Sequence, residues 1–480
     1  MKKEKEEKGV RALFWENGYL PTQAPWHRKK GPDTFFFWVS DAGCWTFSFT
    51  CRTCRLLAIL ALMLFASAGG RAADNDWPRF RGPNGQGISD ATTVPVQWTD
   101  KDYNWKVALP GTGHSSPVVW GDRIFLTCAD AQTAKRMVLC LAAADGRTLW
   151  QRDYPSKTYG QNEENNYASA TPAADADAVY LTWTVPEEVV LLALDHSGTE
   201  KWRRRLGPYP TRHGSGTSPI VYQDLVILSN DQEGTRFVSS EGKSFIVAVD
   251  RTSGETRWQS DRRTVLAAYS TPCVFRADGG PPELIFTSTA HGITAIDPAT
   301  GRVNWEIDRI FLDRCVASPV LAPGLVIASY GYGNRGTRLG AVRPGSKAKG
   351  VEPQVAWDMK KDVLLIPTPI IKDGRLFCWA DDGTVTCLTV ETGRQVWQER
   401  LGTQFFASPV CVNNRLYGIS KKGEVFVIAA ADKFELLARV PLGEPTNATP
   451  AVAGGVMYLR TASHLMSLGG KEKKVSGPFF

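Results

Sequence analysis

From about residue 104 onward, apolar and polar positions alternate in short runs, the two-residue period of strands that bury one face. No long stretch carries the 3.6-residue apolar period of an amphipathic helix. The runs gather into a unit that returns along the chain. It is seen as LLALDHSGTEKW (residues 191–202), IVAVDRTSGETRW (246–258), ITAIDPATGRVNW (293–305) and VTCLTVETGRQVW (385–397). Each reads as a β-hairpin: an apolar strand, a polar turn with Gly, and a second strand bearing a Trp four residues after that Gly. Gly198, Gly254, Gly301 and Gly393 supply the positive φ the turn requires. The indole is large, apolar and carries one donor, so it can fasten one hairpin to its neighbour. A repeat of this length marks a repeat architecture.

A second landmark precedes each hairpin: Ser116-Pro117, Thr171-Pro172, Ser218-Pro219, Thr271-Pro272, Ser318-Pro319, Thr368-Pro369, Ser408-Pro409 and Thr449-Pro450, eight in all. Proline at the start of a strand loses no ladder bond that is needed and fixes how the chain enters. A turn and second strand follow, as in VVWGDRIFLT (118–127), so each unit holds four strands, one propeller blade. Trp105, Trp150, Trp202, Trp258, Trp305, Trp357 and Trp397 mark the fourth strands, with Leu437 at the matching place in the seventh unit. The eighth unit, residues 449–468, stops after three strands. The ring closes if residues 104–110 (NWKVALP) complete it, which leaves no open sheet edge. The expected fold is all-β, an eight-bladed propeller of four-stranded antiparallel blades with an N-terminal strand finishing the last. Two units depart from the pattern: residues 343–357 replace the fifth hairpin with a longer polar loop, and residues 430–439 lack both Gly and Trp.

The Ala-x-Asp-x-x-x-Gly-x-x-x-Trp pattern, complete at Ala248/Asp250/Gly254/Trp258 and Ala295/Asp297/Gly301/Trp305, resembles the tryptophan-docking motif of the quinoprotein-like propellers. That group includes the pyrroloquinoline quinone (PQQ) dehydrogenases and the outer-membrane assembly lipoprotein of the barrel assembly machinery. The segment DWPRFRGPNGQGIS, residues 76–89, further resembles secreted PQQ-like repeat proteins. The resemblance covers residues 76–470 and speaks to fold, because the motif serves architecture. The dehydrogenases hold PQQ through a calcium bound by Glu, Asn and Asp, and many carry a vicinal disulfide. No two Cys here are adjacent, so no catalytic residue is carried over.

Composition changes this picture little. The formal charge of +7 is concentrated at the front: residues 1–72 carry 11 of the 56 Lys and Arg and 6 of the 49 Asp and Glu, leaving 45 against 43. A balance of about +2 is no basic footprint for nucleic acid. Arg52 and Arg55 precede LLAILALMLFASA (56–68) and a small-residue stretch. This order fits a secretory signal, and the run is short for a membrane span. The expected organisation is a disordered or mis-assigned extension (1–50), a signal peptide (51–73), the propeller (74–470) and a flexible tail (471–480). The product is expected to be periplasmic or secreted, monomeric, and without a membrane span after cleavage. Seven Cys lie in the mature part, none in a zinc-like spacing. Cys378 and Cys387 flank the turn at 381–384, so a short hairpin would set them opposite each other.

The remaining motifs are weak. GYGNRG (331–336) matches a dinucleotide glycine pattern but leads into another strand, with no helix N-terminus to take a pyrophosphate. Gly242-Lys243-Ser244 lacks the first Gly of a P-loop. The segments entering the first strands should lie nearest the propeller axis. They carry His114, Asn166, Tyr167, His213, Tyr269, Arg314 and Asn447, a set suited to a small polar or anionic ligand at the channel mouth. The competing reading is that these side chains close hydrogen bonds between blades. Most Asp sit in hairpin turns, and Glu163 to Asn166 is the one dense acidic and amide cluster, thin ground for calcium. The chain therefore reads as an exported, non-enzymatic binding or scaffold module, needing no cofactor or metal and engaging a protein partner or a small polar ligand. The alternative is a PQQ- and calcium-dependent alcohol or sugar dehydrogenase.

Overall fold

The computed structural model describes residues 76–470 other than 239–241, 278, 309, 312, 332–336 and 361–362. The expected extension, signal segment and tail, and most of the GYGNRG loop, lie outside the described residues.

Thirty-two strands form eight four-stranded antiparallel blades, and one further strand, β1 (Ile88–Ser89), is added to the seventh blade. Blade 1 runs from β3 (Val118–Trp120) to β6 (Thr148–Tyr154), and blades 2 to 7 follow in chain order to β30 (Leu436–Pro441). Blade 8 holds β31 (Ala451–Ala453), β32 (Val456–Arg460) and β33 (His464–Gly469), and β2 (Tyr103–Ala108) completes it, with Trp105 opposite Ser467 and Val107 opposite Leu465. The seam is locked from inside. Arg460 of β32 is wholly buried and donates to the carbonyls of Ser115 (2.8 Å) and Thr127 (2.8 Å) of blade 1.

The Gly-to-Trp spacing works between blades. In all eight blades the pairing of the third and fourth strands shifts register by one residue just before the Trp position, as between Ala248/Trp258 and Val249/Thr256. A bulge at this point sharpens the twist and re-aims the side chain. Where the motif is complete its Ala lies directly across from the Trp, and this small residue leaves room for the ring. The indole then lies over the hairpin of the next blade. Trp202 donates Nε1–H to Arg251 O (3.0 Å) and packs on Gly254, and Trp258 donates to Pro298 O (2.8 Å) and packs on Gly301.

The two departures fit the same logic. The hairpin of blade 5 has Pro353 in place of the Gly four residues before its Trp, and Trp305 of blade 4, which meets no hairpin Gly, donates to Glu283 Oε2 (3.0 Å) within its own blade. Blade 8 offers no third-to-fourth hairpin, because β33 and β2 are far apart in sequence, and the register of blade 7 puts Ala438, across from Val427, at the Trp position, one residue after the Leu437 expected from the sequence.

Apolar side chains fill the spaces between blades, so the core is a ring of inter-blade clusters. The seven described cysteines are free and buried. Cys378 faces Thr386 and Cys387 faces Phe377, which corrects the expected opposition. The two thiols lie on opposite faces of one sheet, Cys378 packed toward blade 5 and Cys387 toward blade 7.

Residues 76–95 form a strap across one end of the axis. Trp77 bridges to Val119 in blade 1, and Pro78 O accepts from Ala174 N (2.8 Å) in blade 2. Asn84 makes two bonds to the backbone of Val274 in blade 4 (2.7 and 2.8 Å). Arg81, wholly buried, reaches Thr368 O (2.5 Å) and Pro369 O (2.8 Å) in blade 6. β1 pairs in parallel with β27 (Val410–Val412) of blade 7, and Thr93 bonds Gly455 O (2.6 Å) in blade 8. Gly82 has φ +67°, and a Cβ there would stand 2.5 Å from the Trp77 ring, so only glycine allows the strap to fold back on its own indole.

Candidate functional site

Where the chain enters each first strand it is extended, and the side chains alternate. The Ser or Thr of each Ser/Thr-Pro pair is buried, as is the residue before it, while the residue two before is partly exposed in all eight blades. Those eight residues are His114, Ser169, Gly216, Tyr269, Val316, Ile366, Phe406 and Asn447, and every one of them lines a single axial cavity of about 480 Å³. Cavities of this size hold small organic ligands. The strap closes the far end, with Phe80 contributing to the wall. The site is therefore a cup with one mouth.

The Ser and Thr hydroxyls knit the wall. Ser116 N–H donates to Thr171 Oγ1 (2.9 Å), Thr171 N–H to Ser218 Oγ (2.9 Å), and Ser318 N–H to Thr368 Oγ1 (3.0 Å). The same bond joins Thr271 to Ser318, Thr368 to Ser408 and Ser408 to Thr449, so six of the eight junctions are closed this way. Seven of the eight junction residues, all but Ser116, also line the cup. These hydroxyls carry inter-blade bonding beside that of Asn166 and Arg314, which bond to Thr112 and Glu233 of other blades.

Five of the seven sequence-predicted residues reach the cup: His114, His213, Tyr269, Arg314 and Asn447. Asn166 and Tyr167 do not. Asn166 ties its loop down, its Nδ2 donating to Thr112 Oγ1 (3.1 Å) and its Oδ1 accepting from Ala168 N–H (2.9 Å). Tyr167 donates its hydroxyl to Tyr159 O (3.1 Å) beneath the Arg136 guanidinium, in a separate void of about 20 Å³. The blade 2 loop is longer than the others, so position along it does not predict direction. The neighbouring Asn162, Glu164 and Asn165 face the cup in their place. An offset of two from the Ser or Thr picks out Ser169, but His213 and Arg314 reach the cup from five and four residues before their Ser, the offsets of Asn166 and Tyr167, so spacing alone does not separate these.

Charges in the wall are paired. Arg314, 7 % exposed, donates Nη1–H to Glu233 Oε1 (2.8 Å), and the carboxylate is fully buried behind it. Its Nη2, Glu233 Oε2 and His213 Nε2 are buried without a partner among the described residues. Glu164 is the one carboxylate of the lining, and it accepts from Lys421 Nζ (2.6 Å) across the mouth, from blade 2 to blade 7. Lys421 also sits 4.3 Å above the Phe406 ring.

Both histidines are neutral. Burial, then Arg460 and Lys421, brings His114 down to about 4, and burial with Arg314 lowers His213. Burial pushes Tyr269 up to about 12 against the pull of Arg314. One side of the cup, from blades 8 through 4 and including Arg314, presents amides, neutral imidazoles and hydroxyls. The other, from blades 5 to 7, presents Val316, Leu365, Ile366 and Phe406.

A calcium-held quinone calls for several carboxylate and amide oxygens converging on one point. The lining has one carboxylate, already held by Lys421, and Asn165 spends its amide on His213 O (2.6 Å) and Ser169 Oγ (2.5 Å). Among the described residues no three His, Cys, Asp or Glu are grouped as metal ligands. The donor set does not fit that cofactor.

Residues 96–260, 231–355 and 381–471 match the family described as outer membrane protein assembly factor BamB. Over 249 residues the chain is 21 % identical to the BamB of Moranella endobia, covering 47 % of this chain and 60 % of that protein. A 20 % match to the BamB of Yersinia pestis covers 40 % and 51 %. The chain thus spans half to three-fifths of the length of these curated relatives. In structure it is similar to BamB from Moraxella catarrhalis (TM-score 0.55, 16 % identity, 77 % of this chain and 97 % of that one). It is similar also to the quinohemoprotein alcohol dehydrogenase of Comamonas testosteroni (TM-score 0.60, 12 % identity, 87 % and 83 %). At these identities the structural likeness speaks to fold alone.

Proposed function

Because the chain belongs to the PQQ-like repeat propeller family described as outer membrane protein assembly factor BamB, we propose that it is an exported, non-enzymatic binding module whose axial cup takes a small polar ligand. Export rests on the basic, apolar and small-residue order of residues 52–73. The ligand reading rests on one observation: eight residues at the same offset, one from each of eight blades and seven of them with side chains, converge on one closed-bottomed cavity and carry no charge among them. A wall needed only for architecture would be served by small residues, as at the position one nearer the strand, which holds only Ala, Ser, Thr and Pro. The described residues include no helix long and apolar enough to cross a membrane.

Native mass spectrometry of the full chain purified after exposure to a cell metabolite extract tests this. We expect a small molecule retained by the natural protein and lost from Ile366→Trp, in which an indole fills the cup from a position that is partly exposed and leaves the blades untouched. Retention of nothing, or equal retention by the filled variant, would overturn the reading.

A further inference from the structure

Three guanidinium groups stand directly behind the wall of the cup. Arg79 donates to Pro272 O (2.5 Å), beside the lining residue Thr271. Arg81 donates to the carbonyl of the lining residue Thr368 itself. Arg460 donates to Ser115 O (2.8 Å), beside His114. All three are 7 % exposed or less, and none touches a carboxylate among the described residues; their acceptors are carbonyls, a hydroxyl and a thiol. A buried charge without a counter-ion is costly even when fully hydrogen-bonded. The two ion pairs of the cup, Arg314 with Glu233 and Lys421 with Glu164, are each already balanced. One carboxylate, Asp381, also stands behind the wall, accepting from the N–H groups of the lining residues Leu365 and Ile366, so three guanidinium groups face one carboxylate and the axis keeps a surplus of positive charge around one cavity.

Two further observations locate where a negative group would go. Among the described residues Arg314 Nη2 has no partner while its side chain is almost wholly buried, and His213 Nε2 is likewise without one. The six junction hydroxyls that accept a backbone N–H keep an O–H to donate, and all six residues line the cup. Donors thus outnumber acceptors on the polar side, while Phe80, Leu365, Ile366 and Phe406 form an apolar surface across from them.

We propose that the ligand of the cup is a small organic anion, its negative head held by Arg314 and His213 and its apolar body laid against Ile366 and Phe406, serving as the counter-ion of Arg79, Arg81 and Arg460. This deepens the ligand reading given above and rests on it. Lys421 marks the entry: an arriving anion competes with Glu164 for its ammonium, so the ion pair across the mouth gives way to the ligand.

Matched probes separate charge from shape. Isothermal titration of the full chain with benzoate and with its neutral isostere benzamide, and with inorganic phosphate, should show benzoate binding at a Kd of ~1 mM or tighter. Benzamide and phosphate should be at least about tenfold weaker, and benzoate affinity should fall as salt rises. Arg314→Gln should remove benzoate binding. Because that change leaves Glu233 buried and unpaired, the double variant Arg314→Gln/Glu233→Gln and the surface variant Lys421→Met serve beside it, the former abolishing and the latter slowing benzoate entry. Equal binding of benzoate and benzamide would overturn the anion while leaving the cup a ligand site. Phosphate bound as tightly as benzoate would remove the apolar body from the proposal. Silence from all three probes, together with an empty cup in the metabolite experiment, would sink both readings.

Discussion

The docking of each Trp on the next blade's Gly can be tested at Gly254. Its φ is +74°, and a Cβ there would lie 2.6 Å from Trp202 Cδ2 and 2.8 Å from Cγ. For Gly254→Ala, holding an L-residue at this φ costs ~1–2 kcal/mol. Carbon atoms pack at about 3.5–4.0 Å, so the indole must retreat by about 1 Å, an overpacking cost of ~1–3 kcal/mol. Retreat also stretches the Trp202 Nε1–H bond to Arg251 O, now 3.0 Å, with a further loss of ~1 kcal/mol. The total is ~3–6 kcal/mol. Gly374 is the control, since its φ is +73° and nothing lies within 4 Å of the Cβ position. Gly374→Ala should cost ~1–2 kcal/mol, and the entropy that Ala removes from the unfolded chain is common to both and drops out of the comparison. Equilibrium urea unfolding followed by far-ultraviolet circular dichroism, with a check that the m-value is unchanged, reads the difference. In a Trp202→Leu background the excess cost of Gly254→Ala should vanish. Equal midpoint shifts for Gly254→Ala and Gly374→Ala, or an excess that survives removal of the indole, would refute the docking argument.

The hydroxyl ring predicts a contrast between two similar residues. Thr368→Val strands the Ser318 N–H inside the wall and should cost ~1–3 kcal/mol, whereas Ser116→Ala removes a buried hydroxyl that has no partner and should be near neutral or stabilising; thermal unfolding that ranks them the other way would refute the ring. His114 should stay neutral down to about pH 4, showing no ring titration by NMR between pH 5.5 and 8. Its folded pKa lies below the unfolded value, so the unfolded chain binds the extra proton between about pH 4 and 6.5, and stability should fall on acidification through that window by at most ~1.4 kcal/mol per pH unit. The slope should be shallower in His114→Asn, and a ring titration inflecting near pH 6.5 in the natural protein would contradict the burial, and with it the positive surroundings, assigned to His114.

The sequence alone determined the ring. Strand periodicity, the Ser/Thr-Pro entries and the Gly-to-Trp spacing are local features, each set by backbone sterics or by one side chain's reach, and their count required that residues 104–110 close the eighth blade. The axis is different, because eight segments roughly fifty residues apart meet there and an extended chain turns its side chain over at every step. A shift of one residue moves a group from the wall into the joint between blades, and in the longer blade 2 loop turns replace the extended chain, taking Asn166 and Tyr167 out of the cup and bringing Asn165 in. Only the tertiary structure put Glu233 behind Arg314, set Lys421 against Glu164 across 257 residues of chain, and sent Cys378 and Cys387 to opposite faces. The strap is the clearest case. Arg79 and Arg81 read as ordinary polar residues near the start of a domain, and burial against the inner ends of the blades is what makes them uncompensated charges beneath a cavity.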